Sequence, residues 1–167
     1  MKFEKLLTGF LLIIVVAGCG KSKPEKEVVL DAVPTVPNEM PAFTATQIDN
    51  TKVFFKDVKA KTLIVFFNPD CDHCQREAKL MAENMNMLTG YEVYFITVDQ
   101  MPAIIKFQKD YNLEAPNIHF GRAEGPEVIQ AVGPISEVPT LFLYNDQKLK
   151  GRLQGEVGIE KLREFLK

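Results

Sequence analysis

The stretch that decides the fold is Thr62-Leu63-Ile64-Val65-Phe66-Phe67, which runs directly into Asn68-Pro69-Asp70-Cys71-Asp72-His73-Cys74. An unbroken run of β-branched, aliphatic and aromatic residues describes a strand buried on both faces, since a half-exposed strand would alternate with polar residues. From Asp72 the period changes. Ala78, Met81, Met85 and Leu88 follow at steps of three and four, the stripe of a helix spanning Asp72 to Leu88, with Gly90 as its stop. The two cysteines therefore stand where a central strand gives way to a helix. Unpaired backbone N–H groups and the helix dipole stabilise a thiolate there, so Cys71, nearer the exposed end, is the expected attacking thiol. Cys74 lies within disulfide reach in the first turn and is the expected resolving thiol. A C-x-x-C pair is also half of a zinc site, but with three cysteines and two histidines the chain has no second cysteine pair. Redox chemistry is the favoured reading.

Outward from this junction strands and helices alternate. Phe43–Gln47 and Lys52–Phe55 read as short edge strands around an Asp49-Asn50 turn, and Tyr91–Val98 as a second core strand. Met101-Pro102 opens a helix lined by Ile104, Phe107 and Tyr111, with proline at a tolerated first-turn position. Asn117–Phe120 reads as a strand and Glu124–Ala131 as a short helix. Thr140–Tyr144 and Lys148–Leu153 form a hairpin through Asn145-Asp146, and Ile159, Leu162 and Phe165 mark a terminal helix. This succession predicts an α/β three-layer sandwich over residues 42–167, a mixed central sheet flanked by helices, with an extra N-terminal strand pair. At 167 residues with 46% apolar and 25% charged side chains, the chain has the composition of one globular domain. Its formal charge of −2 offers no basic field for nucleic acid.

Before the domain, Lys2 and Lys5 precede an apolar run from Leu6 to Ala17, too short to span a bilayer comfortably and shaped like a secretory signal. The run closes on Val16-Ala17-Gly18-Cys19, which resembles the bacterial lipobox. That resemblance implies that residues 1–18 are removed, that Cys19 carries lipid, and that the protein is held at a membrane facing the periplasm or the outside. Cys19 then accounts for the odd cysteine. Residues 19–41, with Pro24, Pro34, Pro37 and Pro41 among mixed charges, read as a flexible tether.

Phe66-Phe67-Asn68-Pro69-Asp70-Cys71-Asp72-His73-Cys74 after a strand, with Val138-Pro139-Thr140 before the hairpin, resembles the thioredoxin superfamily over roughly residues 42–167. The resemblance implies a cis-proline loop at Pro139 lying against the two sulfurs, and backbone hydrogen bonds from Val138 to the substrate strand. It also implies protein thiols and disulfides as substrates, no bound cofactor beyond the redox-active Cys71–Cys74 pair, a membrane redox partner and a monomer. The N-terminal strand pair, the lipid signal and Glu77 are similar to the membrane-tethered TlpA-type branch. That branch uses a matching glutamate as proton acceptor for the buried cysteine. Glu77, three residues after Cys74, lies on the same helix face. The chain departs from the pattern in having Asp70 where a Trp is common, no Pro between the cysteines, and Ala78 where the branch often has Pro.

Active-site tuning is expected from three neighbours. A protonated His73 favours the Cys71 thiolate, while Asp70 and Asp72 oppose it, and Asp70 is also placed to cap the helix. The balance points to an intermediate redox potential. The alternative function is a copper chaperone of the thioredoxin-like Sco type, binding Cu through Cys71, Cys74 and a His, although that family spaces its cysteines by three residues. A peroxidase of the peroxiredoxin kind wants Pro and Thr ahead of the reactive Cys, a pattern missing here. Met81, Met85 and Met87 suggest soft copper ligands but fall on or beside the core stripe, and His119 reads as structural. Gly121, Gly125 and Gly133 read as loop residues.

Overall fold

The computed structural model describes residues 37–167; the expected signal peptide, most of the expected tether and Cys19 lie outside the described residues. Strand β3 (Thr62–Phe66) is buried along its whole length. It has neighbours on both sides, parallel to β4 (Glu92–Thr97) and antiparallel to β6 (Thr140–Asn145). Outward on one side lie β5 (Ile118–Ala123), β1 (Thr44–Gln47) and β2 (Lys52–Phe54), and on the other β7 (Lys148–Gln154). The result is a seven-stranded mixed sheet in the order β2-β1-β5-β4-β3-β6-β7. Helices α1 (Asp72–Glu83), α2 (Met101–Asp110), α3 (Gly125–Val132) and α4 (Ile159–Phe165) complete the chain.

Alternate residues of β3 supply two cores, as the period of a pleated strand requires. Leu63, Val65 and Phe67 join Ala78 and Met81 of α1, Ile104 and Phe107 of α2 and Leu162 of α4. Ile64 and Phe66 join Phe43, Phe55, Tyr94, Phe142 and Tyr144 with Val128 and Val132 of α3. Phe95 and Phe120 stack face to face at 4.6 Å in the first core, and Phe43 and Phe55 at 4.4 Å in the second. This is the expected three-layer α/β sandwich.

Four local expectations differ from the fold. The strand at Thr44–Gln47 is not an edge: β1 pairs with β2 on one side and with β5 on the other, so only β2 is outermost. Helix α1 stops at Glu83 rather than at Leu88, and Met85–Leu88 forms a separate 3-10 turn. The cause is Asn84, whose side-chain amide donates to the Leu80 carbonyl at 2.9 Å and replaces the backbone bond that a continuing helix would supply. Strand β5 runs on to Ala123, taking Gly121 out of the loops, and Gly125 opens α3. Gly121 suits that place because a Cβ there would lie 3.1 Å from the Thr46 carbonyl oxygen of β1.

Just ahead of the domain, Glu39 bridges to Lys148, with Met40 N–H donating to the Gln147 carbonyl and Leu149 N–H to the Asn38 carbonyl. The Glu39 carboxylate also holds Lys56 at 2.9 Å and Lys148 at 2.7 Å, and these two ammonium groups bring its pKa down to about 2. Residues 38–40 thus belong to the folded part, secured to the turn between β6 and β7.

Candidate active site

The end of β3 delivers the chain to the site through Asn68, whose side-chain oxygen accepts the Asp70 N–H at 2.8 Å and whose carbonyl accepts the Cys71 N–H at 3.2 Å. Cys71 itself occupies the capping position of α1 in extended conformation, without a side-chain cap bond. Asp70 is therefore not the cap. It stays exposed one residue upstream, and Asp72 lies exposed in the first helical turn.

The two thiols are free and unequal: Cys71 is partly accessible, and Cys74 is buried at 2% exposure. The Cys71 thiol and the Asn68 backbone N–H are the polar groups that act on the Cys74 sulfur. Burial, aided by the adjacent Cys71 and Glu77, pushes the Cys74 thiol up to about 12 against the opposing Asn68 bond. Cys71 Sγ donates to the Val138 carbonyl at 3.7 Å, and the Val138–Pro139 peptide is cis. This loop thus lies against the Cys71 sulfur.

Glu77 belongs to the buried stripe of α1, with Cys74, Ala78 and Met81. Its Oε2 accepts the Val157 N–H at 3.0 Å, while Oε1 is buried without a partner. Burial is the main cause that raises its carboxyl to about 7; the Glu156 charge adds to it and the Val157 N–H opposes it. A buried carboxyl raised to near neutrality thus lies close enough to a proton-retaining thiol to act on its charge.

His73 is engaged by two charged side chains. Its Nδ1 lies 2.9 Å from Glu156 Oε2 and 2.8 Å from Arg76 Nη2. One nitrogen serves one of these at a time, donating to Glu156 or accepting from Arg76. Arg76 grips the same carboxylate through Nε at 2.9 Å and Nη2 at 2.7 Å. Arg76 first and His73 second bring Glu156 down to about 2. Glu156 and Val157 follow β7, some eighty residues along the chain from α1, and no periodicity or spacing ties them to the cysteines. The only sequence signal is an acidic residue isolated in a glycine-flanked loop, Gly155 to Gly158.

A cavity of about 450 Å³ reaches Val138, the residue whose carbonyl meets Cys71, and is walled by Phe66, Phe67, Val98, Ile129 and Ile135. Val98 and Ile129 are 55% and 56% exposed, unusual for large apolar side chains. Among the described residues no cluster of three or more His, Cys, Asp or Glu is placed to hold a metal. His73 is engaged by Glu156 and Arg76, and His119 Nε2 lies 2.6 Å from Glu92 with its ring stacked on Tyr94. Neither adds a ligand to the cysteine pair. Met81 is fully buried, and Met85 and Met87 pack against the same core.

Known proteins resemble this chain in sequence and fold. The model of the AhpC/TSA family matches residues 36–148. Thiol-disulfide oxidoreductase ResA of one Bacillus cereus strain is 30% identical over 135 residues, 77% of this chain and 75% of that protein. ResA of Bacillus thuringiensis subsp. konkukian is 28% identical over 173 aligned positions, 100% of this chain and 98% of its own. A secreted Mycobacterium tuberculosis disulfide oxidoreductase homologous to E. coli DsbE superposes with a TM-score of 0.63 at 18% identity, covering 75% of this chain and 94% of that one, a likeness of fold. The strand–thiol–helix junction, the cis-proline loop and these relatives together place the chain in the AhpC/TSA family of the thioredoxin superfamily, as a thiol–disulfide oxidoreductase of the ResA type.

Proposed function

We propose that the protein exchanges disulfides with partner proteins outside the cytoplasm, held to a membrane by lipid on Cys19. Cys71, the accessible thiol, attacks a substrate disulfide as thiolate, forms the mixed disulfide and releases one substrate thiol. Cys74 then gives its proton to the Glu77 carboxylate and attacks Cys71 Sγ, which frees the second substrate thiol and leaves the Cys71–Cys74 disulfide. The substrate gains two electrons and two protons, and a membrane redox partner restores the dithiol. Val138 and Pro139 hold the substrate strand, and the apolar cavity beside them accommodates its side chains. Asp70, Asp72 and His73 tune the attacking sulfur. The cycle needs no bound cofactor, and the working unit is a monomer.

The observation that carries this reading is the inequality of the two thiols: one reachable, the other buried beside a carboxyl whose Oε1 has no partner. A nucleophile needs access, and a resolving thiol needs a local base. Outside the cytoplasm is supported by the charged start, the apolar run and Cys19, and the structural relative from M. tuberculosis is itself described as secreted. Expression of Cys74→Ser in the native host tests the proposal. A mixed disulfide that dithiothreitol releases is expected, abolished when Cys71 is also Ser. Adducts that persist without Cys71 would overturn the assignment of roles. Lipid attachment is checked by palmitate labelling that Cys19→Ser removes.

A further inference from the structure

The loop after β7 grips α1 twice. From outside, the Glu156 carboxylate takes Arg76 through three contacts of 2.7–2.9 Å and His73 at 2.9 Å. From inside, the next residue's N–H donates to Glu77 Oε2 at 3.0 Å. Adjacent residues cannot move independently, so the outer grip fixes where the inner N–H points. With Oε2 committed to that N–H, Oε1 is the oxygen left to take a proton, and it is buried with no other partner. We infer that Glu156 is a positioning residue for Glu77: its clasp on Arg76 and His73 holds the Val157 N–H on Oε2 and keeps water away from Oε1. This rests on the proposed role of Glu77 as proton acceptor.

Two physical effects give the clasp a direction. The Glu156 charge, like that of Glu77, disfavours ionisation of the buried carboxyl, and the closed loop preserves the burial that is its main perturbation. The groups acting on Glu77 are Cys74 on its own helix and Glu156 from the loop, with Arg76 and His73 bound to the outer side of Glu156. Releasing the clasp removes a repelling charge and admits water. Both make Glu77 a weaker base; freeing Oε2 from the Val157 N–H acts the other way, but burial is the largest cause acting on the carboxyl, so the net shift is downward.

The step can be isolated. Treating the dithiol protein with 5,5′-dithiobis(2-nitrobenzoate) caps Cys71 as a mixed disulfide with thionitrobenzoate. Cys74 then passes its proton to Glu77, its thiolate attacks Cys71 Sγ, and thionitrobenzoate leaves as a coloured thiolate. The single-turnover rate of that release, followed from pH 4 to 10, is expected to rise through a limb near pH 7, where Glu77 ionises. In Glu156→Gln the limb moves down by about half a unit, and in Glu156→Ala by about one unit with a several-fold slower plateau. A clasp that only braces the loop would lower the melting midpoint and leave the limb in place, which would overturn the inference, as would an upward shift. Glu77→Gln separates the two readings. If that variant keeps the limb, Glu77 is not the acceptor and the proposed mechanism fails. If it loses the limb while both Glu156 variants keep the wild-type profile, the mechanism stands and the clasp has no positioning role.

Discussion

The two faces of the sheet are built from the same strands, yet burial has different consequences on each. The face under α3 hides Tyr144, whose hydroxyl has no partner, and Tyr94, and burial raises both phenols further above their already high range. Phenols raised in this way stay neutral through the neutral range, so their burial carries no proton chemistry. The face under α1 hides Glu77 and Cys74, which titrate or must titrate for the proposed chemistry. Equal desolvation is thus silent for a phenol and functional for a carboxyl, because the carboxyl is moved from about 4.5 into the neutral range. One face is packed with groups that stay neutral, and the other holds the groups to which the proposed proton chemistry is assigned.

Substitutions on each face can break that division. The largest effect is expected from Cys71→Ser, with insulin reduction falling about a thousandfold or more while the denaturation midpoint stays close to that of wild type. Retained turnover would place the chemistry elsewhere. Next comes Phe142→Ala on the far face, where a ring enclosed at 0% exposure leaves a cavity. A loss of about 3–5 kcal/mol in urea unfolding is expected, with normal turnover per folded molecule. Unfolding measured against pH sharpens the contrast further. Since the folded carboxyl of Glu77 holds its proton to about 7 and the unfolded one releases it near 4.5, stability should fall as pH rises between these values, by roughly 3 kcal/mol in all. Glu77→Gln should flatten this slope, and Tyr144→Phe should leave it intact. A slope that survives in Glu77→Gln would remove the distinction between the faces.

Two smaller effects probe the sheet's margins. Gly121→Ala forces a methyl against the Thr46 carbonyl and should destabilise by about 1–3 kcal/mol, with β1 exchanging amide hydrogens faster. Glu39→Ala should give the smallest change, one that disappears in molar salt because both of its ammonium partners are well exposed.

What was legible in the sequence follows from how local each cause is. The central run Thr62–Phe67 and the cysteine pair were readable because burial on both faces and a helix start each leave a contiguous pattern. Glu77 was readable through the resemblance to the TlpA-type branch, its spacing from Cys74 placing it only on the same helix face, and the observed burial explains why its proton affinity is high. The early end of α1 was hidden because a single side-chain amide, Asn84, overrides an apolar spacing that continues through Leu88. The place of β1 inside the sheet was hidden because short polar-flanked strands look alike at an edge and next to one. Glu156 was beyond reach, since its meeting with Arg76 and His73 is created by the return of the chain after β7.

The attachment of Asn38–Met40 to the turn between β6 and β7 has a spatial consequence. In the register of the sheet, Tyr144 lies opposite Thr62, at the start of β3, while Thr140 lies opposite Phe66, next to the thiols. Asn38 therefore enters the folded part at the end of the sheet remote from the sulfurs, and a polypeptide can reach the thiols without crossing that point of entry.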